Sequence, residues 1–453
     1  MQPLPKEFEE QMKRLLGEAG FFAYLDALNQ PYTRALRVNL LLRPDGTPPC
    51  PIEGLGAPVP WAKGAYFVEG DARPGLSPLH EGGLFYMQEP SALTAVTALD
   101  PQPGERVLDL CAAPGGKSTQ IAALMAGRGL LCCNEPIPSR AQILSRNIER
   151  MGVRNAVVLS AMPDALAPRF PAFFDRILVD APCSGEGMFR RQPEARDEWD
   201  ADAPRRCADR QMEILAQAAK MLRPGGTMVY STCTFNDTEN EGVLKRFLAL
   251  HPEFSLVPFA LPGLPEAKDG YLHLYPHEMR GEGHFVSRLK KADGADEADA
   301  PVQAAPQRKA PARAAAKGKA PAPIALPDVF SDAFAPERLY TAGDALWMLP
   351  EGISIEQLSG LRVLRTGLLL AHAEGKRSEP DHALAMALRP EEAARTASLT
   401  QTQALAYQAG ETLSLGDLPG GYTLLCCEGV SLGWGKQASG LMKNHYPKGL
   451  RRR

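Results

Sequence analysis

No run of apolar residues in this 453-residue sequence approaches the ~20 residues needed to cross a bilayer. The start, MQPLPKEFEEQMKRLLGEAG, carries acids among amphipathically spaced apolar positions and lacks the basic and then apolar regions of a signal peptide. Cysteine is scarce, at nine residues, with no Cys-x-x-Cys or Cys/His ligand spacing and with two sequence-adjacent pairs. We therefore expect a cytoplasmic protein with no membrane segment, no metal and no disulfide framework.

An excess of charge of one sign is also missing. The formal net charge is −3, from 50 Lys and Arg against 53 Asp and Glu, so no global positive field points to nucleic acid. Local charge differs, because the chain ends in KNHYPKGLRRR (443–453). This tail is able to contact phosphates, and composition alone equally favours a solvated tail.

Bulky apolar residues are nearly absent from one internal stretch, KADGADEADAPVQAAPQRKAPARAAAKGKAPAP. Such a stretch cannot bury enough surface to order itself, which predicts an Ala/Pro-rich linker over residues 291–324. Before it we expect an N-terminal region (1–100), with two helices and a strand at Arg34–Leu42, and a central domain (101–290). After it follows a β-rich C-terminal region (325–453).

Strand and helix signals alternate through the central domain at the spacing of βαβ units. The predicted strands are Val107–Leu110, Leu130–Cys133, Ala156–Leu159, Arg176–Val179 and Thr227–Tyr230, and helices follow Lys117, Pro138, Cys207 and Asp237. We predict an α/β fold, a Rossmann-like and mostly parallel sheet with helices on both faces. Its functional edge should lie outside the carboxyl ends of the strands.

The stretch DLCAAPGGKST (109–119) ends in Gly-Lys-Ser, as a nucleotide-binding P-loop does. The P-loop pattern G-x-x-x-x-G-K-[ST] requires glycine at position 111, where this chain has Cys111. Pro114 also removes a backbone donor from the middle of the loop. The stretch is instead typical of a Rossmann-like first turn, in which a strand end and a helix N-terminus meet a cofactor.

Polar groups collect at the ends of the predicted strands. Glu135 ends the second strand, where an acid is able to accept hydrogen bonds from ribose hydroxyls. Asp180 and Cys183 follow the fourth strand, and Cys233 follows the fifth. A single cysteine is more often a small buried hydrophobe, but these two occupy strand-end turns at one edge of the sheet. They are therefore candidates for chemistry.

Three motifs, DLCAAPGGKS (109–118), ILVDAPCSGEG (177–187) and YSTCTFNDTENE (230–241), together resemble the signature of RNA cytosine-5 methyltransferases of the NOL1/NOP2/Sun group. The segments RALRVN, YMQEPSAL, YPHEMRGEGHF and LGWGKQASGLMKNHYPKGLR extend the resemblance to the bacterial RsmF-like branch, which methylates 16S ribosomal RNA. The resemblance covers nearly the whole chain except the linker.

The resemblance implies a class I methyltransferase core between an N-terminal α+β RNA-binding region and a C-terminal β-rich PUA-like domain. S-adenosyl-L-methionine is then the cofactor, and the positions matched to its binding are Cys111, Ala112, Ala113, Pro114, Gly115, Gly116, Lys117, Glu135 and Asp180. Lys117 either contacts the methionine carboxylate or points at Asp109. Some members carry an acid after the third strand. The matching residue here is Met162, so Asp164 or a backbone contact is expected to serve the adenine.

The resemblance also implies the catalytic residues Cys233, Cys183 and Asp180. Cys233 adds to carbon 6 of cytosine so that carbon 5 can attack an activated methyl group, and Cys183 assists the release step. Asp180 acts at the polar edge of the cytosine, and a carboxyl that acts there needs a pKa raised by burial. His277 and His284 are expected to be structural support near the site.

The implied partner is ribosomal RNA or the assembled small subunit, bound by a monomer. Candidate phosphate contacts are Arg34, Arg37, Arg190, Arg191, Lys436, Lys443 and Lys448, and a solvated charge is the alternative for each. Trp434 and Tyr446 either stack on bases or, as we favour, belong to a small β-domain core. Transfer RNA as substrate, and a non-catalytic RNA-binding assembly factor, remain the alternative functions.

Overall fold

The computed structural model describes residues 3–192, 194–294, 324–375 and 377–452. Most of the predicted linker, 291–324, therefore lies outside the described residues. Its first residue, Lys291, is the last residue of a strand in the central sheet. A search of the described helices finds none that is long and apolar enough to cross a membrane.

The N-terminal region is a long helix followed by a small antiparallel sheet with the strand order β2-β3-β1-β4. Its elements are α1 (Lys6–Leu28), β1 (Arg34–Val38), β2 (Leu55–Pro58), β3 (Ala65–Val68), α2 (Pro78–Glu81) and β4 (Phe85–Gln88). The two predicted helices are one element with a kink at Gly17, where φ is 68°. The strand predicted to reach Leu42 ends at Val38 because the chain turns at Asn39, whose carbonyl accepts N–H bonds from Leu42 and Arg43.

The apolar face of α1 packs on the central domain beside two functional segments. The ring of Phe8 contacts that of Phe189 edge-on, with 4.9 Å between centroids. Tyr24 contacts Phe235 in the same way at 5.8 Å. Because Phe189 and Phe235 lie a few residues after Cys183 and Cys233, α1 supports both cysteine-bearing turns from outside the sheet.

The central domain carries the helices and strands of an α/β fold. Its elements are α3 (Thr94–Leu99), β5 (Arg106–Asp109), α4 (Gly116–Leu124), β6 (Leu130–Asn134), α5 (Pro138–Arg150), β7 (Ala156–Leu159), α6 (Pro163–Leu166), β8 (Phe174–Asp180), α7 (Glu194–Glu198), α8 (Ala203–Met221), β9 (Leu222–Thr232), α9 (Asn240–Leu250), β10 (Phe254–Leu256), β11 (Tyr271–Leu274) and β12 (His284–Lys291). All five predicted parallel strands and all four predicted helices are present.

The central sheet has the order β10-β12-β9-β8-β5-β6-β7-β15, in which β15 (Val363–Thr366) comes from the C-terminal region, and β11 is paired to β12. Strands β5 to β9 run parallel, and the other pairings are antiparallel. Every residue of β6 and β7 is buried, since separate hydrophobic clusters cover the two faces of the sheet. The predicted Rossmann-like fold class is confirmed. The carboxyl ends of β5, β6, β8 and β9 therefore meet at one edge.

The C-terminal region forms two small sheets, with the orders β13-β14-β16-β17 and β18-β19-β20-β21. Its elements are β13 (Leu339–Ala342), β14 (Ala345–Met348), α10 (Ile355–Leu358), β15 (Val363–Thr366), β16 (Leu368–Glu374), β17 (Arg377–Pro380), α11 (His382–Ala387), β18 (Thr396–Ser398), α12 (Gln401–Ala409), β19 (Gly421–Cys427), β20 (Val430–Ala438) and β21 (Leu441–Asn444). The predicted β-rich character is confirmed.

One strand of the C-terminal region pairs with the central sheet and not with either of the two small sheets. β15 pairs antiparallel with β7, with Val363 opposite Leu159. Arg365 is 4% exposed and forms an ion pair with Glu149 of α5. An edge strand with free N–H and C=O groups is a site for unwanted pairing, so β15 protects the central sheet.

Candidate active site

The loop between β5 and α4 is shaped by glycines and held from two sides. Gly115 has φ of +113°, a conformation that side chains rarely adopt, and an added Cβ would lie 3.2 Å from Leu144 of α5. An added Cβ on Gly116 would lie 3.3 Å from side-chain atoms of Tyr86 and Gln88 in β4. The absence of side chains at these two positions therefore lets α5 and β4 pack closely against the loop.

Asp109, the last residue of β5, is fully buried under this loop. Its Oδ2 accepts a hydrogen bond of 2.6 Å from Ser118 Oγ, and its Oδ1 has no partner among the described residues. Burial raises the pKa of Asp109 to about 7, and the nearby charge of Asp180 adds to the rise. Ser118, rather than Lys117, is thus the first-turn residue of α4 that points at Asp109.

Lys117 instead contacts Asp180 at the end of β8. Its Nζ donates a hydrogen bond of 2.7 Å to Oδ2, while Oδ1 accepts one of 2.8 Å from Ser231 Oγ. His284 Nε2 lies 3.5 Å from Oδ1, at ion-pair distance but outside hydrogen-bond geometry. The cation thus belongs to a buried charged cluster at the strand ends.

The prediction of a raised pKa for Asp180 is wrong. Burial does oppose ionisation, but Lys117 and the imidazole of His284 outweigh it and hold the pKa of this carboxyl well below its usual range. Asp180 is therefore a carboxylate at neutral pH, which accepts hydrogen bonds and does not donate them.

The two cysteines predicted at strand ends are in contact. β8 and β9 are neighbours in register, with Asp180 opposite Ser231, so the turns that follow them lie side by side. The sulfur atoms of Cys183 and Cys233 are 3.4 Å apart. The contact with Cys233, together with burial, raises the pKa of the Cys183 thiol well above its usual value. Gly187 N–H donates a 2.8 Å hydrogen bond to the Cys233 carbonyl, which fixes the second turn.

A buried carboxylate that sequence reasoning missed, Glu239, holds the Cys183 turn in place. It accepts hydrogen bonds of 2.7 Å from Gln211 and Asn236 side chains and of 3.1 Å from the Ser184 N–H. Burial raises the pKa of Glu239. Asn236 and Glu239 lie inside the motif YSTCTFNDTENE, which offered a signal, whereas Gln211 in the middle of α8 offered none.

A second missed carboxylate, Glu186, ties the turns to the N-terminal helix. It is fully buried and accepts the N–H groups of Phe235 at 2.8 Å and Asn236 at 3.1 Å. Gln11 of α1 donates a further hydrogen bond of 3.0 Å. The turn after Cys233 is therefore held jointly by the core and by α1.

Glu135 directly follows the last residue of β6, and Met162 directly precedes the first residue of α6. Glu135 is 2% exposed, and its Oε1 accepts the Ile137 N–H at 3.0 Å while Arg140 lies 3.4 Å from Oε2. Met162 is 61% exposed, and Asp164 in the first turn of α6 is also exposed. Met162 and Asp164 are therefore open to a ligand placed beyond the strand ends, whereas the Glu135 carboxylate is buried.

Several predicted RNA-contacting arginines are already engaged inside the protein. Arg190 makes a bidentate ion pair with Glu282 at 2.7 Å, and Arg34 donates to backbone carbonyls of Gly70 and Ala72. Arg37 is 1% exposed. The prediction of phosphate contacts is therefore wrong for Arg37 and Arg190, whose guanidinium groups are buried inside the protein.

The remaining predicted residues have varied positions. Arg191, Lys443 and Lys448 are exposed, and Lys436 lies over the ring of Tyr422 at 4.6 Å. Trp434 and Tyr446 are buried at 2% and 3% exposure, which confirms them as core residues. His277 contacts the ring of Tyr24 at 6.4 Å, and Cys111 is half-buried with a pKa raised by burial.

Within the part of the chain that the structure describes, no three His, Cys, Asp or Glu side chains group as metal ligands would.

Family models match the chain in four consecutive segments. The central model, 16S rRNA methyltransferase RsmB/F, matches residues 96–290. The N-terminal domain of 16S rRNA methyltransferase RsmF matches 4–90, the RsmF rRNA methyltransferase first C-terminal domain matches 327–388, and the methyltransferase RsmF PUA domain matches 394–452.

Individual relatives are similar over almost the whole chain. A ribosomal RNA small subunit methyltransferase F from Erwinia tasmaniensis is 34% identical over 470 residues, which cover 98% of this chain and 96% of that protein. One from Escherichia coli is 33% identical over 468 residues, with coverage of 98% and 96%. Among solved structures, a methyltransferase homolog protein from Pyrococcus horikoshii is 30% identical with a TM-score of 0.54, covering 63% of this chain and 95% of that one.

The parallel sheet, the glycine loop at its edge and the flanking domains define a Rossmann-like RNA methyltransferase. The segments matched by the four family models lie one after another along the chain, without overlap. The chain belongs to the RsmF family of 16S rRNA methyltransferases.

Proposed function

We propose that this protein transfers a methyl group from S-adenosyl-L-methionine to carbon 5 of a cytosine in 16S ribosomal RNA. The observation that carries the proposal is the 3.4 Å contact between Cys183 and Cys233 at the sheet edge where β8 and β9 end. A binding-only RNA protein has no use for two thiols in contact beside a charged pair. Addition to carbon 6 of a pyrimidine ring, in contrast, suits a sulfur nucleophile, which adds readily and can leave again.

The residues present fit the cofactor. The free Asp109 Oδ1 is a buried acceptor under the loop, and α4 begins there with its free N-terminal N–H groups. Glu135 at the end of β6 suits a ribose diol, and the exposed Met162 supplies an apolar surface for the adenine. S-adenosyl-L-methionine, when bound there, supplies an activated methyl group.

Cys233 is proposed as the nucleophile. The thiolate is the reactive form of cysteine. The Lys117 ammonium, which is paired with Asp180, belongs to the same group of polar side chains at the strand ends. Addition of the Cys233 sulfur to carbon 6 forms a carbon–sulfur bond and moves the C5=C6 electron pair to carbon 5. Carbon 5 then becomes the atom that takes the methyl group.

Asp180 and Cys183 are proposed to act before and after that transfer. As a carboxylate, Asp180 is suited to accept a hydrogen bond from the exocyclic amino group of cytosine. Once methylated, carbon 5 gives up its proton to a solvent water molecule, the C5–H electron pair forms the C5=C6 double bond again, and the carbon–sulfur bond breaks with its electron pair leaving on the Cys233 sulfur. Cys183 is a protonated thiol at neutral pH, so it is placed to donate to the departing Cys233 sulfur.

The domains on either side are proposed to hold the RNA. A base inside a stacked helix is out of reach of this edge, so the target cytosine must be flipped out or lie in a loop, at a cost of a few kcal/mol. The exposed Arg191, Lys443 and Lys448 remain candidate phosphate contacts. The predicted domain boundaries, monomeric state and cytoplasmic location stay predictions.

A trapping experiment tests the proposal. The Cys183→Ala variant, mixed with S-adenosyl-L-methionine and either small ribosomal subunits or total RNA, is expected to accumulate a denaturant-stable protein–RNA adduct. The Cys183→Ala/Cys233→Ala double variant is the matched control and should form none. Sequencing the trapped RNA gives the modified position and separates ribosomal from transfer RNA. If no adduct forms and the wild type transfers no methyl group to either RNA, the protein is a binding-only factor.

A further inference from the structure

Arg37 lies in β1 of the N-terminal sheet, yet its side chain enters the central domain. It is 1% exposed, its Nη2 donates a hydrogen bond of 2.9 Å to Thr119 Oγ1, and the same nitrogen lies 3.3 Å from the Gly116 carbonyl oxygen. Both acceptors belong to the first turns of α4. The N-terminal domain thus places a cation directly beneath the proposed cofactor loop.

The guanidinium group of Arg37 is only partly paired within the described part of the chain. Among the described residues no carboxylate forms an ion pair with Arg37, and its Nε and Nη1 have no hydrogen-bond partner. A buried charge is costly unless it is paired. Burial lowers the pKa of Arg37 to about 10, so the guanidinium is still protonated at neutral pH. An arrangement of this kind is suited to an anion that arrives with a ligand.

The other cation at this turn is already neutralised. Lys117 donates to Asp180 at 2.7 Å, so its charge is already balanced by a carboxylate of the protein. The N-terminal N–H groups of the nine-residue helix α4 also favour an anion at this end. Arg37 and the helix terminus therefore create positive potential at the same place.

We infer that Arg37 is a positioning residue that holds its charge beneath Gly116 for the carboxylate of the cofactor's methionine moiety. The inference rests on the proposed function, in which S-adenosyl-L-methionine is the methyl donor, and the carboxylate is the one anionic group of that molecule. The N-terminal domain is then part of the cofactor site as well as a candidate RNA-binding domain.

Calorimetry on the full chain, without RNA, tests the inference with two probes. S-adenosylhomocysteine carries the carboxylate, and S-adenosyl-3-thiopropylamine is the same molecule without it. Arg37→Gln is expected to weaken binding of S-adenosylhomocysteine by about tenfold or more, since a unit charge is removed from a buried site, and binding of the decarboxylated probe by less than about twofold. Arg37→Met is a second neutral variant. The comparison of the two probes can be made with whichever of the two variants keeps the wild-type melting temperature.

Two matched variants separate charge from geometry. Arg37→Lys keeps the charge, and Thr119→Val removes the hydrogen-bond acceptor while keeping Arg37. Both are expected to retain most of the preference for the carboxylate. Equal weakening of both probes by Arg37→Gln, no weakening of either, or a loss of preference in Arg37→Lys as large as in Arg37→Gln would overturn the inference. If the wild type binds neither probe, the cofactor assignment itself fails, which is a different result.

Discussion

The ion pair between Lys117 and Asp180 allows us to predict how much unfolding free energy is lost when the pair is broken. Its side chains are 13% and 27% exposed, and its two charged atoms are 2.7 Å apart. Lys117→Met keeps the apolar stem and removes the ammonium group, which leaves the carboxylate with only the His284 imidazole and the Ser231 hydroxyl beside it. Removing one partner of a buried pair costs about 3 kcal/mol of unfolding free energy. For a domain of this size, that loss lowers the melting temperature by roughly 6–12 °C.

The size of this loss should depend on pH. In the wild type the pKa of Asp180 is lowered in spite of burial, so its contribution to stability is fully present above the unfolded pKa of about 3.9 and is lost as pH falls through the lowered pKa. The pKa of Lys117 is raised in spite of burial, so its contribution is fully present below about 10.4 and is lost as pH rises through the raised pKa. In Lys117→Met, burial raises the pKa of the carboxyl, and protonation relieves the penalty at low pH.

Differential scanning fluorimetry at pH 7.5 and pH 5 measures this dependence. We expect the loss in melting temperature to be larger at pH 7.5. The Lys117→Met/Asp180→Asn double variant is the control, and it should regain at least half of the loss because it removes the uncompensated charge. An equal loss at both pH values, with no recovery in the double variant, would refute the account of this pair.

Two further changes have expected results. Gly115→Ala places a Cβ where φ is +113° and Leu144 is 3.2 Å away, so calorimetry should show S-adenosylhomocysteine binding weakened by about tenfold, as for a strained backbone. Gly104→Ala, also at positive φ but with nothing within 4 Å, is the control and should keep wild-type affinity. Trp434→Ala should cost about 3–5 kcal/mol and lower the melting temperature, because the indole is 2% exposed and donates to the Asp381 carbonyl at 2.8 Å. An unchanged melting temperature with weakened RNA binding would instead mean that Trp434 stacks on RNA.

The parallel part of the fold was predictable because its strands are covered on both faces. Such strands appear in a sequence as short apolar runs, and the run Leu130–Cys133 became β6 with one added residue. The meeting of Cys183 and Cys233 followed from the same logic. Both residues come directly after neighbouring parallel strands, whose carboxyl ends share an edge.

Features that depend on distant partners were not predictable. The pKa of Asp180 is lowered by Lys117, which lies 63 residues earlier in the sequence, and by His284 in β12. Only the fold brings these three residues together. In the sequence, Arg37 is indistinguishable from an arginine on the exposed face of a strand. Only the packing of β1 against α4 buries its side chain. No local pattern in Val363–Thr366 indicates that this strand joins the central sheet rather than a C-terminal one.

The pairing of β15 with β7 has a consequence for synthesis on the ribosome. β7 ends at Leu159, and β15 begins at Val363, about 200 residues later. At ~5–20 residues per second, the nascent chain spends roughly 10–40 s with one border of its catalytic sheet uncovered. A chain whose synthesis stops within this interval lacks β15, so β7 stays an unpaired edge strand and is a site for aggregation. Translation speed between these two strands therefore bears on how much intact enzyme a cell obtains.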